Sequence, residues 1–175
     1  MSHIYCSVIL GSHEQVDCQD YPLGGSDQLL LLEPDHSITD FSDAAQLLAA
    51  IAAGEATLIK GISAEIPEGS PVTEDNPVAC GSDTIMVNKD RTILFTDANV
   101  TPANVTFYDN LEDKLMGAVL YECEEDRITV IDEDISWVAN RNFPTKSLQK
   151  FLITGSLRKK TSPRIIEPAP AGIFD

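Results

Sequence analysis

A chain of 175 residues with 43% hydrophobic residues is long enough to bury a substantial core and sits within the composition of globular proteins, which excludes global disorder. Its formal charge of −16 argues against a general nucleic-acid or anionic-membrane binder, since such binding begins with attraction to phosphate. The charge is uneven: residues 1–140 hold five Lys/Arg against 26 Asp/Glu, net −21, and residues 141–175 hold seven against two, net +5. Either the acidic body of one copy meets the basic segment of another, or the basic residues neutralise acids of their own surface.

In chain order, Ile4–Leu10 reads as a short strand, followed by a turn-rich stretch through Tyr21-Pro22 and Gly24-Gly25. Gln28–Leu32 is a second strand, expected to be buried on both faces because its apolar run is continuous. The run SDAAQLLAAIAAG predicts a helix capped by Ser42, with Ala44, Leu47, Leu48 and Ile51 on one face and Gly54 as the terminating glycine. Thr57–Ile66 returns to strand. Residues 67–90, PEGSPVTEDNPVACGSDTIMVNKD, are then polar and broken by three prolines and two glycines. Connections longer than ~12–15 residues without structure of their own are uncommon in compact domains unless they function or are disordered. Too few large apolar groups occur here for a local core, so the segment is expected to gain its order outside the fold, on a neighbouring copy.

Thr84–Val87 and Arg91–Thr96 are predicted as a hairpin turned at Asn88-Lys89-Asp90. A second helix is expected over Pro102–Met116, capped by Thr101, with Val105, Tyr108, Leu111 and Leu115 on one face and Gly117 as its stop. Strands follow at Ala118–Cys123, Arg127–Ile131 and Ile135–Ala139, with acidic turns at Glu124-Glu125-Asp126 and Asp132-Glu133-Asp134. The last strand is Leu148–Leu157, whose Phe151, Ile153, Gly155 and Leu157 share a face. The end, SPRIIEPAPAGIFD, predicts an extended arm whose Ile165, Ile166, Ile173 and Phe174 dock somewhere. The domain reading is one β-rich domain over residues 1–162, with 67–83 as an assembly loop, and an arm over 163–175.

No residue pattern nominates a reaction. Cys6, Cys18, Cys80 and Cys123 form no C-x-x-C pair, and with His3, His13 and His36 they match no zinc spacing. Nucleophile elbows and phosphate-cradling glycine loops are absent from the sequence, and the acidic trios lack the alternation of a calcium loop. Trp137 reads as core. No enzyme, cofactor or metal is therefore expected. The opening MSHIYCSVILGSHEQ has no cationic n-region and a broken apolar run, so synthesis in a reducing cytoplasm with free thiols is expected, without membrane association.

Several pieces taken together resemble a tailed-bacteriophage tail-tube or neck-ring protein. These are the strand Thr57–Ile66, the acidic loop with Gly81, the strand RTILFTDAN, the helix TPANVTFYDNLEDKL, the consecutive strands after it and the Pro-rich end. DCQDYPLGGSDQLLLLE is similar to N-terminal segments of virion proteins from crAss-like and other Bacteroidales phages. The helix at 42–53 departs from the simplest tube-subunit pattern.

The resemblance implies a mainly β (α+β) fold, a β-sandwich or barrel with one or two flanking helices. It also implies a structural virion protein, a homo-oligomer with other virion proteins as partners, in rings of six or a multiple, acting as a DNA conduit. The loop would reach the next subunit, and acidic walls would repel passing DNA without binding it specifically. The assembly contacts expected on this reading are Pro67, Gly69, Pro71, Val72, Asn76 and Pro77 of the loop. They would be joined by Lys150, Arg158, Lys159, Lys160 and Arg164 of the basic segment. The competing readings are a non-catalytic glycan- or protein-binding β-sandwich module and a small hydrolase with acids converging at a strand edge.

Overall fold

A computed structural model describes residues 26–66, 69–75, 84–112, 114–142, 149–158 and 163–174. The protein is mainly β, with two helices among the described residues. The strand read at Ile4–Leu10 lies outside them.

The first described strand, β1 (Ser26–Leu32), carries four successive leucines, all fully buried. Neighbouring strand residues point to opposite faces, so the run must be covered on both sides, as its unbroken apolarity requires. Leu29 and Leu31 enter one hydrophobic cluster, and Leu30 and Leu32 enter another. Helix α1 (Ala44–Ala53) follows, capped by Asp43 rather than Ser42: the Asp43 carboxylate accepts from the Ala45 N–H at 2.9 Å. The Ser42 hydroxyl is already committed to Asp40 at 2.6 Å. Gly54 ends the helix in the left-handed conformation, φ 78°, and its N–H returns to Ile51.

Strand β2 (Ala56–Glu65) pairs with β1 on both sides of a bulge. The register advances two residues on β1, from Gln28 to Ser26, while it advances four on β2, from Lys60 to Ala64. Gly61 lies in this bulge with φ 72°. Beyond it, β2 pairs with β4 (Thr84–Asp97), from Ile62 opposite Asp97 to Glu65 opposite Leu94.

Residues 70–75, read as part of an unstructured loop, form β3 (Ser70–Asp75), antiparallel to the first half of β4. The expected hairpin turn at 88–90 is likewise absent, and β4 runs unbroken through it. At Asp90 its pairing passes from β3 to the strand β7 described below, so the backbone never lacks a partner.

Helix α2 (Pro102–Leu111) begins as expected, with Thr101 accepting from the Asn104 N–H at 3.2 Å and Pro102 in the first position. It ends earlier than the spacing implied. Leu115 and Met116 belong instead to β5 (Leu115–Glu122), which pairs with β1 and β6 (Arg127–Asn142). Two ladders of hydrogen bonds outweigh the helical periodicity there. The acidic trio 132–134 is no turn between strands but a bulge within β6, set against Gly117 between the pairs Ile131–Ala118 and Ile135–Met116.

Strand β7 (Lys150–Arg158) bridges β6 and β4. The antiparallel pairings β2–β1–β5–β6–β7–β4 and β4–β2 thus make a closed circuit. Every strand of the circuit sends residues to the inner cluster, among them Leu29, Ile59, Phe95, Met116, Trp137 and Ile153, and α2 adds Phe107, Tyr108 and Leu111. Trp137 lies over Gly155, where a Cβ would come within 2.7 Å of the ring, and its Nε1–H donates to the Met116 carbonyl at 3.0 Å. The outer cluster covers only part of the opposite face. It joins Leu30, Val119, Ile128 and Val130 to Leu47 and Ala50 of α1 and to Ile173 and Phe174.

The C-terminal arm is therefore part of the domain. β8 (Arg164–Ile166) pairs with β6, the Ala169 N–H donates to the Asp126 carbonyl at 2.7 Å, and the buried Gln28 amide donates to the Phe174 carbonyl at 2.6 Å. Phe174 stacks on Tyr121 with ring centroids 4.6 Å apart.

Two stability measurements check this architecture. Gly61→Ala forces a side chain into the left-handed region and is expected to lower unfolding free energy by about 1–2 kcal/mol, read as a shifted urea midpoint at unchanged slope. Phe174→Ala, if the tail is integral to the outer cluster, costs about 3–5 kcal/mol in the same assay, whereas a loose arm would cost nothing measurable.

Candidate assembly interface

The sequence-predicted contacts fall in three places. Pro67, Asn76, Pro77, Lys159 and Lys160 lie outside the described residues. Gly69, Pro71, Val72 and Arg158 are gathered at one end of the sheet, where Pro71 is opposite Lys89, Val72 opposite Asn88 and Arg158 opposite Asp90. Gly69 lies close against β4, and a Cβ there would sit 2.9 Å from Arg91 Cγ and 3.2 Å from the Asp90 carbonyl oxygen. Lys150 begins β7, eight residues from Arg158, so the two are separated by about 26 Å at strand rise. Arg164 stands apart on β8.

Arg158 forks onto Asp90 of its own chain, Nε to Oδ1 at 2.6 Å and Nη2 to Oδ2 at 3.1 Å. The guanidinium, first through its hydrogen bonds and then through its charge, holds the Asp90 carboxyl below its ordinary value of 3.8. Asp40 is also held low, chiefly by the Ser42 hydroxyl and N–H, with a smaller effect of the Arg164 charge. For Arg158, of the two uses open to the C-terminal charge, local neutralisation is the one with atoms in contact.

Beyond Asp90 the β3–β4 pair stands as a two-stranded ribbon. Among the described residues, 84–89 of β4 pair with β3 alone, over about 20 Å at strand rise. Among the described side chains, none of residues 70–74 and 86–89 belongs to either hydrophobic cluster, and Met86 is exposed. Two-stranded ribbons are marginal in water by themselves. Pro71, with no N–H to offer, and the exposed Glu74 occupy the outer strand, where they discourage open-ended strand pairing.

A second surface escaped the sequence reading. On the outward face of β6, β7 and β4, Val138, Thr154 and Leu94 align in one row. Ser136, Ser156 and Thr92 form the row on one side, and Asn140, Leu152 and Thr96 the row on the other. Alternation along each strand marks these residues as outward, but only the register shows that nine uncharged positions adjoin. Val138 remains 49% exposed.

The one buried carboxylate among the described residues is accounted for structurally. Asp97 accepts from the Tyr108 hydroxyl at 2.7 Å and the Asn99 N–H at 2.7 Å, while the Asn104 amide donates to the Asn99 carbonyl at 2.8 Å. Burial, then the Asp97 charge, pushes the phenol pKa upward, so the pair fastens α2 to the end of β4. Among the described residues, no three His, Cys, Asp or Glu side chains form a metal-holding group. No described helix is long and apolar enough to cross a membrane. Two surfaces stand out among the described residues, the projecting ribbon and the outward rows of β6, β7 and β4. No protein-family model and no curated protein sequence matches the chain.

The Asp90–Arg158 fork generates a titration test. In the native chain the Asp90 carboxyl resonance should titrate below the ordinary aspartate range, and Arg158→Ala should return it towards that range. A depressed folded-state pKa means that the pair's contribution is present above the unfolded value and fades as pH falls through the folded one. Carboxyl NMR titration of both chains measures the shift directly.

Proposed function

We propose that the protein is a structural virion component that assembles into rings or a tube in the tail or neck of a tailed bacteriophage. The closed circuit of strands is read as a barrel of the tail-tube-like kind with α1 and α2 flanking it. The observation that carries the assembly reading is the β3–β4 ribbon, a pair of strands that projects past both hydrophobic clusters and exposes Met86. Its backbone is satisfied within its own chain, so the case for a neighbour rests on its side chains, which have no described core to pack into. A neighbouring copy supplies such a surface in a ring.

The inner cluster draws side chains from all six strands of the circuit, so the subunit's interior is filled. Any channel for DNA must then lie between copies, walled by their outer surfaces. With a net charge of −16, such a wall repels phosphate and lets a genome pass without adhering.

Negative-stain imaging of the purified full-length chain over a concentration series tests the proposal. Annular or tubular particles are expected for the native protein, and Met86→Asp, which puts a carboxylate on the ribbon, should abolish them while leaving the circular dichroism of the fold unchanged. A folded native chain that remains single particles of subunit size throughout the series overturns the reading.

A further inference from the structure

We infer that the outer face of β1, β5 and the start of β6 is a peptide-binding groove, filled here by residues 164–174 of the same chain, and that a second copy can fill it with its own residues 164–174 by exchange. The inference goes beyond the ring reading and does not rest on it.

Strand register lays out the floor of the groove. Gln28, Tyr121 and Ile128 align in one row across β1, β5 and β6, and Leu30, Val119 and Val130 align in the next. β8 extends both rows as an added strand, with Ile166 opposite Ile128 and Arg164 opposite Val130. The chain then returns over the floor. Gly172, at φ 82°, turns it so that Ile173 and Phe174 are buried. Phe174 lies on Tyr121 with the two rings only 8° from parallel, and the buried Gln28 amide holds the Phe174 carbonyl at 2.6 Å. A strand added at a sheet edge, apolar anchors in pockets and a polar group on the peptide backbone are the general means by which proteins take up extended segments.

The groove stands apart from its occupant. None of residues 164–174 belongs to the inner cluster, and β8 pairs with β6 alone. The closed circuit and its packed interior are therefore complete without them. An empty groove would turn Leu30, Val119, Ile128 and Val130 towards water on the side that Ile173 and Phe174 now cover, so the groove favours being filled. A second copy carries the identical segment, and reciprocal exchange reproduces every contact. The segment holds one cation, Arg164, and one carboxylate, Glu167, so its transfer adds no net charge to a body at −16. The chain's own segment keeps its place through proximity, which for a tethered segment amounts to an effective concentration of about millimolar. Exchange is thus suppressed in dilute solution and competes where copies are crowded.

Fluorescence anisotropy of a dye-labelled peptide of residues 163–175, titrated with the full-length chain, tests the groove. The native chain is expected to bind it with an apparent Kd of about millimolar, because its own segment leaves few grooves open. Phe174→Ala in the chain loosens that segment and should tighten binding of the native peptide at least tenfold. Phe174→Ala in the peptide should abolish binding. Gly172→Val in the peptide keeps its apolar character but disfavours the turn, and should weaken binding about tenfold, which nonspecific apolar adhesion would not do. Near-ultraviolet circular dichroism checks the fold of the Phe174→Ala chain; should that chain not fold, the native chain with the three peptides decides. A native peptide that binds neither chain at millimolar concentration, or binds no better than its two variants, overturns the groove. Binding to the Phe174→Ala chain with none to the native chain keeps the groove and overturns exchange.

Discussion

The pairing of β2 with β4 is the contact on which the rest of the structure depends. Four residue pairs, Ile62–Asp97 to Glu65–Leu94, turn an open sheet into a closed one. Without them β2 and β4 would be free edges, and the inner cluster would lie open along a seam between Ile62 and Phe95. β2 reaches β4 on its other edge while Ala64 still pairs with Ser26 of β1, and the bulge between is accommodated at Gly61 by a backbone conformation that residues with side chains adopt only at a cost. Opposite that corner, the interior is filled by matching sizes, with the indole of Trp137 over the bare backbone of Gly155 and the phenyl of Phe95 edge-on to it at 5.8 Å. Closure and filling support one another, since a closed sheet of six strands has room for side chains and little else.

The two halves of the outer surface meet solvent differently, and the difference traces to single strands. β1 has no polar face to present, because its leucines alternate between the inner and outer clusters. It needs a cover, and α1 with the C-terminal segment provides one. That cover is fastened by groups far apart in the chain: Gln28 holds Phe174, and β8 lies along β6. β6 changes character at the bulge 132–134. Before the bulge Ile128 and Val130 face outward under the cover, and after it Ser136, Val138 and Asn140 face outward without one. The bulge therefore marks the border between a surface buried within the subunit and one left exposed. Asp132 at that border accepts from the His36 ring at 2.8 Å and ties the segment leading into α1 to the same point.

Local chemistry was legible in the sequence, and partnership was not. Thr101, Pro102 and Gly54 act on backbone groups within a few residues, so their roles follow from their neighbours in the chain. The fourfold leucine run could be read because burial on both faces leaves no alternation to misjudge. Errors arose where polar clusters resemble turns. Asn88-Lys89-Asp90 and Asp132-Glu133-Asp134 have turn composition, yet both sit in continuous strands, because β3, β7 and β5 supply hydrogen bonds that local preference cannot anticipate. Leu115 continued a helical spacing and was claimed by β5 for the same reason. Among the candidate contacts, Gly69 and Arg158 converge only through the β4 register, and Lys150 is separated from Arg158 by the length of a strand that was itself correctly expected. The outward face of β6, β7 and β4 was invisible for the converse reason. Each strand showed ordinary alternation, and only their alignment places nine uncharged residues side by side.

These constraints narrow how such a chain can work in an assembly. A packed interior forbids transport through the subunit, and a strongly acidic exterior makes association between copies costly except where charge is absent or compensated. Arg158 is committed to Asp90 of its own chain, which weakens a simple scheme of acidic body against basic tail. If copies meet, the ribbon with exposed Met86 offers them a steric and apolar contact. Contacts of this kind are insensitive to salt screening, unlike an ion-paired interface. Raising salt would relieve the repulsion between −16 subunits and leave apolar contacts of the ribbon untouched, so assembly by that route would be favoured by ionic strength where assembly through basic tails would be dissolved by it.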